Sequence, residues 1–161
     1  TYSQRHQIMV TEPVNSLQGP MVMSFHHSLY CQQTPHGSFI MGIGDPNEPK
    51  GQDTGHSWQF LEEITGKISE ILPVLKELRV VRQWSGSYNM TPDAHPIIGH
   101  VPELEGFYLA VGFSGHGFML APITGEILSQ LITGAEPTIP VGRLRLDRFA
   151  SGQLNVEPSV V

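Results

Sequence analysis

A single cysteine, Cys31, is all the thiol chemistry available, so no internal disulfide and no cysteine-based zinc site can form. Basic residues are scarce as well. Nine Lys and Arg against fifteen Asp and Glu give a net charge of −6, which argues against nucleic acid as a partner. No stretch approaches the roughly 18 consecutive apolar residues of a membrane span. The opening residues show no basic, apolar, then small-residue leader, and with one reduced thiol this makes a cytoplasmic location the expectation. Eight histidines are present, but none stand in His-x-x-x-His spacing. His26 and His27 are adjacent, so on a strand they would point to opposite faces, and no metal site is expected. A Gly-x-x-x-x-Gly-Lys-Ser/Thr phosphate loop is missing, and so is a Gly-x-Gly-x-x-Gly turn. Gly42-Ile43-Gly44-Asp45-Pro46-Asn47 comes nearest to the latter but lacks the third glycine and leads into a loop. Charged residues are only 15%, while 17 Gly and 13 Pro are present. That balance suggests a well-buried, turn-rich unit with more covered surface than a free monomer has.

What is present concentrates around Gly112-Phe113-Ser114-Gly115-His116-Gly117-Phe118-Met119. The preceding Phe107–Val111 reads as a buried strand. The following Ile123, Ile127, Leu128, Leu131 and Ile132 recur at helical spacing until Gly134 supplies a stop. The glycines therefore sit at a strand-to-helix turn, where backbone without Cβ atoms can approach a ligand closely. A helix start offers unpaired N–H groups and partial positive charge, suited to an electron-rich edge. On spacing alone, the same glycines serve a plain tight turn equally well.

Elsewhere, His6–Glu12, Pro20–Phe25, Ser28–Thr34 and Phe39–Ile43 read as strands, the last two joined by the turn at Pro35-His36-Gly37-Ser38. Asp45–Gly55 is a polar loop. Trp58, Leu61, Ile64, Ile68 and Leu72 mark an amphipathic helix closed by Pro73. Leu78–Trp84 returns as a strand, and Ser85–Pro102 reads as an ordered loop. Arg143, Arg145 and Arg148 look like a solvated face, and residues 136–161 like an arm or partly ordered tail. The fold class expected is α+β, built on a mixed, largely antiparallel sheet.

The run Trp84-Ser85-Gly86-Ser87-Tyr88-Asn89-Met90-Thr91-Pro92-Asp93-Ala94-His95-Pro96-Ile97-Ile98-Gly99, followed by Gly112-Phe113-Ser114-Gly115-His116-Gly117-Phe118, resembles the C-terminal part of D-amino-acid-oxidase-like flavoenzymes. It is most similar to sarcosine oxidases, including the β subunits of heteromeric ones, and to dye-linked L-proline dehydrogenase. The resemblance spans about residues 6–134. It implies an FAD-dependent oxidoreductase that oxidises the C–N bond of an amino-acid-like amine by hydride transfer to flavin. Residues 1–83 would then be part of a substrate domain and 84–135 the C-terminal strand–turn–helix of an FAD-binding domain, with 136–161 the arm. Gly86, Ser114, Gly115, His116, Gly117, Phe118 and Met119 would lie against a non-covalent flavin, and Tyr88, Tyr30 and Met119 would line the amine pocket. No catalytic acid or base is assigned, and His116 is expected to present its backbone. Tyr88 as a strand-end core aromatic is the simpler alternative.

The missing dinucleotide turn implies that the chain is the C-terminal portion of such a protein, the N-terminal Rossmann-like half lying elsewhere. FAD is not expected to stay on this portion alone, and the partners implied are that half and heteromeric subunits. Three departures from the relatives stand out. Gly86 stands where monomeric sarcosine oxidases carry the flavin-linking cysteine. Met119 replaces a lysine that helps hold the substrate carboxylate. Ile40 stands where a lysine promotes reaction with oxygen, which favours a dehydrogenase over an oxidase. A non-catalytic assembly module, and an opine or glycine dehydrogenase subunit, are the competing expectations.

Overall fold

The computed structural model describes residues 1–155. The described residues fall into two compact units, one of Gln4–Ser87 and one of Thr1–Ser3 with the chain from Tyr88 onward.

In the Gln4–Ser87 unit, a five-stranded sheet runs in the order β2-β3-β4-β1-β5. Its strands are β1 (Tyr2–Thr11), β2 (Val22–Ser24), β3 (Leu29–Gln33), β4 (Phe39–Ile43) and β5 (Val80–Met90). β1 pairs with β4, β2 with β3 and β3 with β4, each antiparallel. Met9 faces Met41 across β1 and β4, and Cys31 faces Met41 across β3 and β4. Side chains alternate between the two faces of a strand, so one face collects Met9, Leu29, Cys31, Phe39, Met41 and Ile43, all buried. Onto that face packs α1 (Trp58–Ile71) through Phe60, Ile64 and Ile68, which are also buried. The helix starts where expected, because the Ser57 hydroxyl accepts from the Phe60 N–H at 3.2 Å. It stops before Pro73, which opens a short 3₁₀ turn over Pro73–Glu77. The core holds the thiol of Cys31, whose pKa burial pushes up to about 12.

The other unit pairs β6 (Ile97–His100) with β7 (Tyr108–Val111) antiparallel, Ile98 facing Ala110. Against them lies α2 (Gly117–Thr133), whose buried Ile127 joins Ile98 and Val141 in a second small core. Gly134, at φ +75, closes α2, and the Ala135 N–H returns to the Gln130 carbonyl at 2.8 Å. A 3₁₀ turn at Gly142–Leu144 and a single-turn helix α3 (Arg148–Ser151) follow.

Two expectations are corrected. The segment 85–102 is not a continuous loop: β5 runs through Ser85-Gly86-Ser87 to Met90, and Ile97–His100 is a strand. Serine and glycine are poor strand formers, but β5 lies at the edge of the sheet beside β1, where pairing with a neighbour outweighs propensity. Arg148 is not a solvated residue, for it is 3% exposed. Of the arm expected at 136–161, residues 156–161 lie outside the described residues. The remainder carries the buried Val141, Arg148 and Asn155.

Ile64 is fully buried at the centre of α1's packed face. Ile64→Ala is expected to cost about 2–5 kcal/mol of stability in urea denaturation. A loss below about 1 kcal/mol would mean that the helix does not seal the sheet as described.

Candidate functional site

The turn between β7 and α2 is built from residues that face inward. Gly112 (φ +76) and Gly115 (φ +94) adopt left-handed backbone that side chains resist, and Ser114 adopts it despite its Cβ (φ 49). Ser114 is 1% exposed. Its hydroxyl donates to the Gly112 carbonyl at 3.2 Å, and its N–H donates to the Asn89 carbonyl at 3.0 Å. The Gly112 N–H donates to Asn89 Oδ1 at 2.7 Å, so one asparagine grips both ends of the turn. A Cβ on Gly112 would overlap the Thr91 methyl, and one on Gly115 would sit 2.8 Å from the Tyr88 ring. The Tyr88 ring lies close beside Gly115, and burial raises its phenol pKa.

The start of α2 is left open. His116 takes the N-cap position without a side-chain cap, its N–H spent on the Phe113 carbonyl at 2.9 Å. Leu120 is the first residue to bond back, to the His116 carbonyl at 3.2 Å. The N–H groups of Gly117, Phe118 and Met119 therefore precede any intrahelical acceptor, and no acidic side chain occupies the first turn. Beside them Phe118 is 99% exposed and Met119 69%. Three aligned donors flanked by bare apolar side chains fit one edge of a planar, electron-rich ring: donors for its carbonyl and nitrogen edge, apolar surface for its face. Nothing here provides a glycine-rich cradle for a pyrophosphate. The residues fit a flavin ring, whose edge the Gly117, Phe118 and Met119 amides would hold. The amides of Ser114 and His116 are committed within the turn.

The remaining sequence candidates, Gly86, Tyr30 and Ile40, lie in the sheet unit. Gly86 is exposed on β5, and a Cβ there would meet nothing within 4 Å. Tyr30 on β3 lies across Gly42 of β4, where a Cβ would approach its ring to 2.6 Å, and its hydroxyl is 3.1 Å from His6 Nε2. The two rings stack with centroids 5.8 Å apart. Burial lowers the His6 pKa to about 4. Ile40 shares the outer sheet face with Tyr30, paired with Val10 and Gln32. Among the described residues, no group of three or more His, Cys, Asp or Glu could hold a metal ion, and no helix is long and apolar enough to cross a membrane.

No sequence signal marks the roles of Asn89 and His6, and Arg148 is the buried residue that the sequence places on a solvated face. Asn89 lay inside the assumed loop.

Two outcomes are expected. Gly115→Ala forces a methyl into left-handed backbone and into the Tyr88 ring, which should cost about 1–3 kcal/mol. Adding Tyr88→Ala should return part of that loss, and a strictly additive double-mutant cycle in thermal denaturation would refute the contact. For His6, the unfolded ring takes a proton near pH 6.5 and the folded ring only near 4. Falling pH therefore favours the unfolded chain: stability is full above pH 6.5 and declines by roughly 3 kcal/mol towards pH 4. Urea midpoints measured between pH 7 and 4.5 should show this slope, and His6→Gln should flatten it.

The family model described as FAD dependent oxidoreductase (DAO) matches residues 1–131. The β subunit of sarcosine oxidase from Rhodobacter capsulatus is 30% identical over 148 residues, covering 91% of this chain and 35% of the relative. Glycine oxidase from Pseudomonas putida is 36% identical over 108 residues, covering 63% of this chain and 30% of the relative. The solved structure of L-proline dehydrogenase from P. horikoshii superposes with a TM-score of 0.90 at 40% identity, covering 96% of this chain and 41% of that one. The chain thus spans about a third of the curated relatives' length. With most of its length matched by the family model, and an open-mouthed helix where the ring would rest, the chain belongs to the DAO family of FAD-dependent oxidoreductases.

Proposed function

We propose that this chain is the C-terminal portion of an FAD-dependent oxidoreductase of the sarcosine or proline type, acting on an amino-acid-like secondary or tertiary amine. The observation that carries the proposal is the open mouth of α2, where the Gly117, Phe118 and Met119 amides stand beside an exposed phenylalanine. Bound FAD supplies the acceptor for the hydride that leaves the carbon next to nitrogen. The chain's own part is electrostatic and positional. Charge-assisted bonds from backbone N–H groups are worth about 1.5–3 kcal/mol each, so donors aimed at the ring edge favour the state that carries negative charge. Tyr88, whose ring lies beside Gly115 of the turn, is assigned to the amine pocket. Met119 cannot pair with a carboxylate, because a thioether offers only a weak acceptor. The substrate carboxylate is therefore assigned to a cation outside this chain. The partners in this reading are the N-terminal half that supplies the dinucleotide grip and, as for the sarcosine oxidase β subunit, further subunits.

Ile40 on the outer face of the sheet bears on the electron acceptor. A cation beside the ring would stabilise superoxide-like charge during reaction with oxygen, and an isoleucine supplies none. The acceptor is therefore assigned to another carrier rather than oxygen.

The test uses the full-length protein. It should be yellow, with a flavin spectrum that bleaches anaerobically with L-proline or sarcosine, and a preparation without flavin would overturn the proposal. Bleaching by glycine alone would move the substrate class to primary amines. Once reduced, the protein is expected to reoxidise at least about tenfold faster with an artificial dye than in air, and equal rates in stopped flow would make it an oxidase.

A further inference from the structure

The Asp93–Arg148 pair serves no purpose in the site as described, yet it is the most deeply buried ion pair among the described residues. The two side chains are 0% and 2% exposed. Arg148 Nε donates to Asp93 Oδ2 at 2.8 Å, and Nη2 donates to Oδ1 at 3.0 Å. Nη2 also reaches the His95 carbonyl at 2.9 Å. Asp93 additionally accepts from the His95 N–H at 3.3 Å and the Asn155 N–H at 3.2 Å. Burial alone would raise the Asp93 pKa, but the bonds from Arg148, Asn155 and His95 outweigh it and hold the carboxyl below the ordinary range. From this pair a short path of contacts leads to the turn. The Thr91 hydroxyl lies 3.2 Å from Asp93 Oδ1 and donates to the His95 carbonyl at 2.7 Å. The Thr91 methyl fills the space a Cβ on Gly112 would need. Two residues earlier, Asn89 holds the Gly112 and Ser114 amides. Arg148 lies beyond residue 131, where the family match ends.

We propose that Arg148 is a positioning residue for the flavin-facing turn: through Asp93 it shapes the Thr91–His95 loop against which Gly112 rests, and so aims the amides at the mouth of α2. The inference rests on the flavin proposal above. A plain latch, tying the C-terminal segment to its unit, would need the ion pair but no path from Thr91 to Gly112.

The test compares wild type with Arg148→Met, Arg148→Lys and the double variant Asp93→Asn/Arg148→Met in the full-length protein. The double variant leaves no lone buried charge, so it preserves folding where Arg148→Met alone does not. Two readouts are taken: hydrogen exchange in flavin-free protein at the Gly112, Ser114 and His116 amides, which are bonded within the turn, and the midpoint potential of bound flavin. Positioning predicts exchange at these amides at least tenfold faster in the double variant. It also predicts a roughly tenfold fall in reduced-over-oxidised flavin affinity, which is about 30 mV for a two-electron couple. Arg148→Lys should recover part of both. A lower melting temperature with wild-type exchange and wild-type potential would show a latch and overturn the proposal. If no Met variant folds, Arg148→Lys decides by the same two readouts. A wild-type protein that binds no flavin defeats the flavin proposal, while the exchange measurement still decides the role of Arg148.

Discussion

An aspartate and an arginine that meet away from water must recover a large solvation cost, several kcal/mol for each ion. Here Asp93 meets it with four N–H donors, two from Arg148 and one each from His95 and Asn155. Charged hydrogen bonds of about 1.5–3 kcal/mol apiece are of the right order to offset the loss. The arrangement leaves no lone pair or proton of the ion pair idle, and it joins chain separated by 55 residues. Everything in this unit that lies between those points, including β6, β7 and α2, closes within the loop the pair defines.

The two units divide the work by chemistry. The sheet unit is held by apolar burial between α1 and one sheet face, and the polar bonds at its rim serve register and loop shape. Arg5 illustrates this, donating through Nε to Glu48 Oε1 at 2.8 Å and bonding the Gly55 carbonyl at 3.1 Å, so the polar loop 45–55 is fastened to β1. The second unit has a small apolar core and depends on polar geometry instead. Its turn is defined by hydrogen bonds donated to Asn89 and by contacts that exclude a Cβ. Such a turn is stiff, which suits donors that must be aimed before a ligand arrives.

Much of this was readable from the chain. The helical spacing of Trp58 to Leu72 and of Ile123 to Ile132, with Pro73 and Gly134 as stops, made both long helices legible because those signals are local. The β3–β4 hairpin was legible for the same reason. The extension of β5 through Ser85-Gly86-Ser87 was not, since pairing with a distant strand overrides what those residues prefer alone. Ser114 in left-handed backbone was equally hidden, because that conformation is signalled by glycine and here is imposed by Asn89. Arg148 was misjudged because a charge is ordinarily solvated, and its partner is too far along the chain for any spacing rule to find it. In the site, the open helix mouth followed from Gly115-His116-Gly117. Which amides remain available emerged only once the internal acceptors were known.

Cys31 has a practical corollary. Its thiol is 0% exposed, and burial keeps it protonated at any ordinary pH. Thiol reagents can reach it only when β3 and β4 part from α1. The rate of its alkylation is therefore an intrinsic clock for opening of the sheet unit, blind to events around α2, and it needs no introduced label.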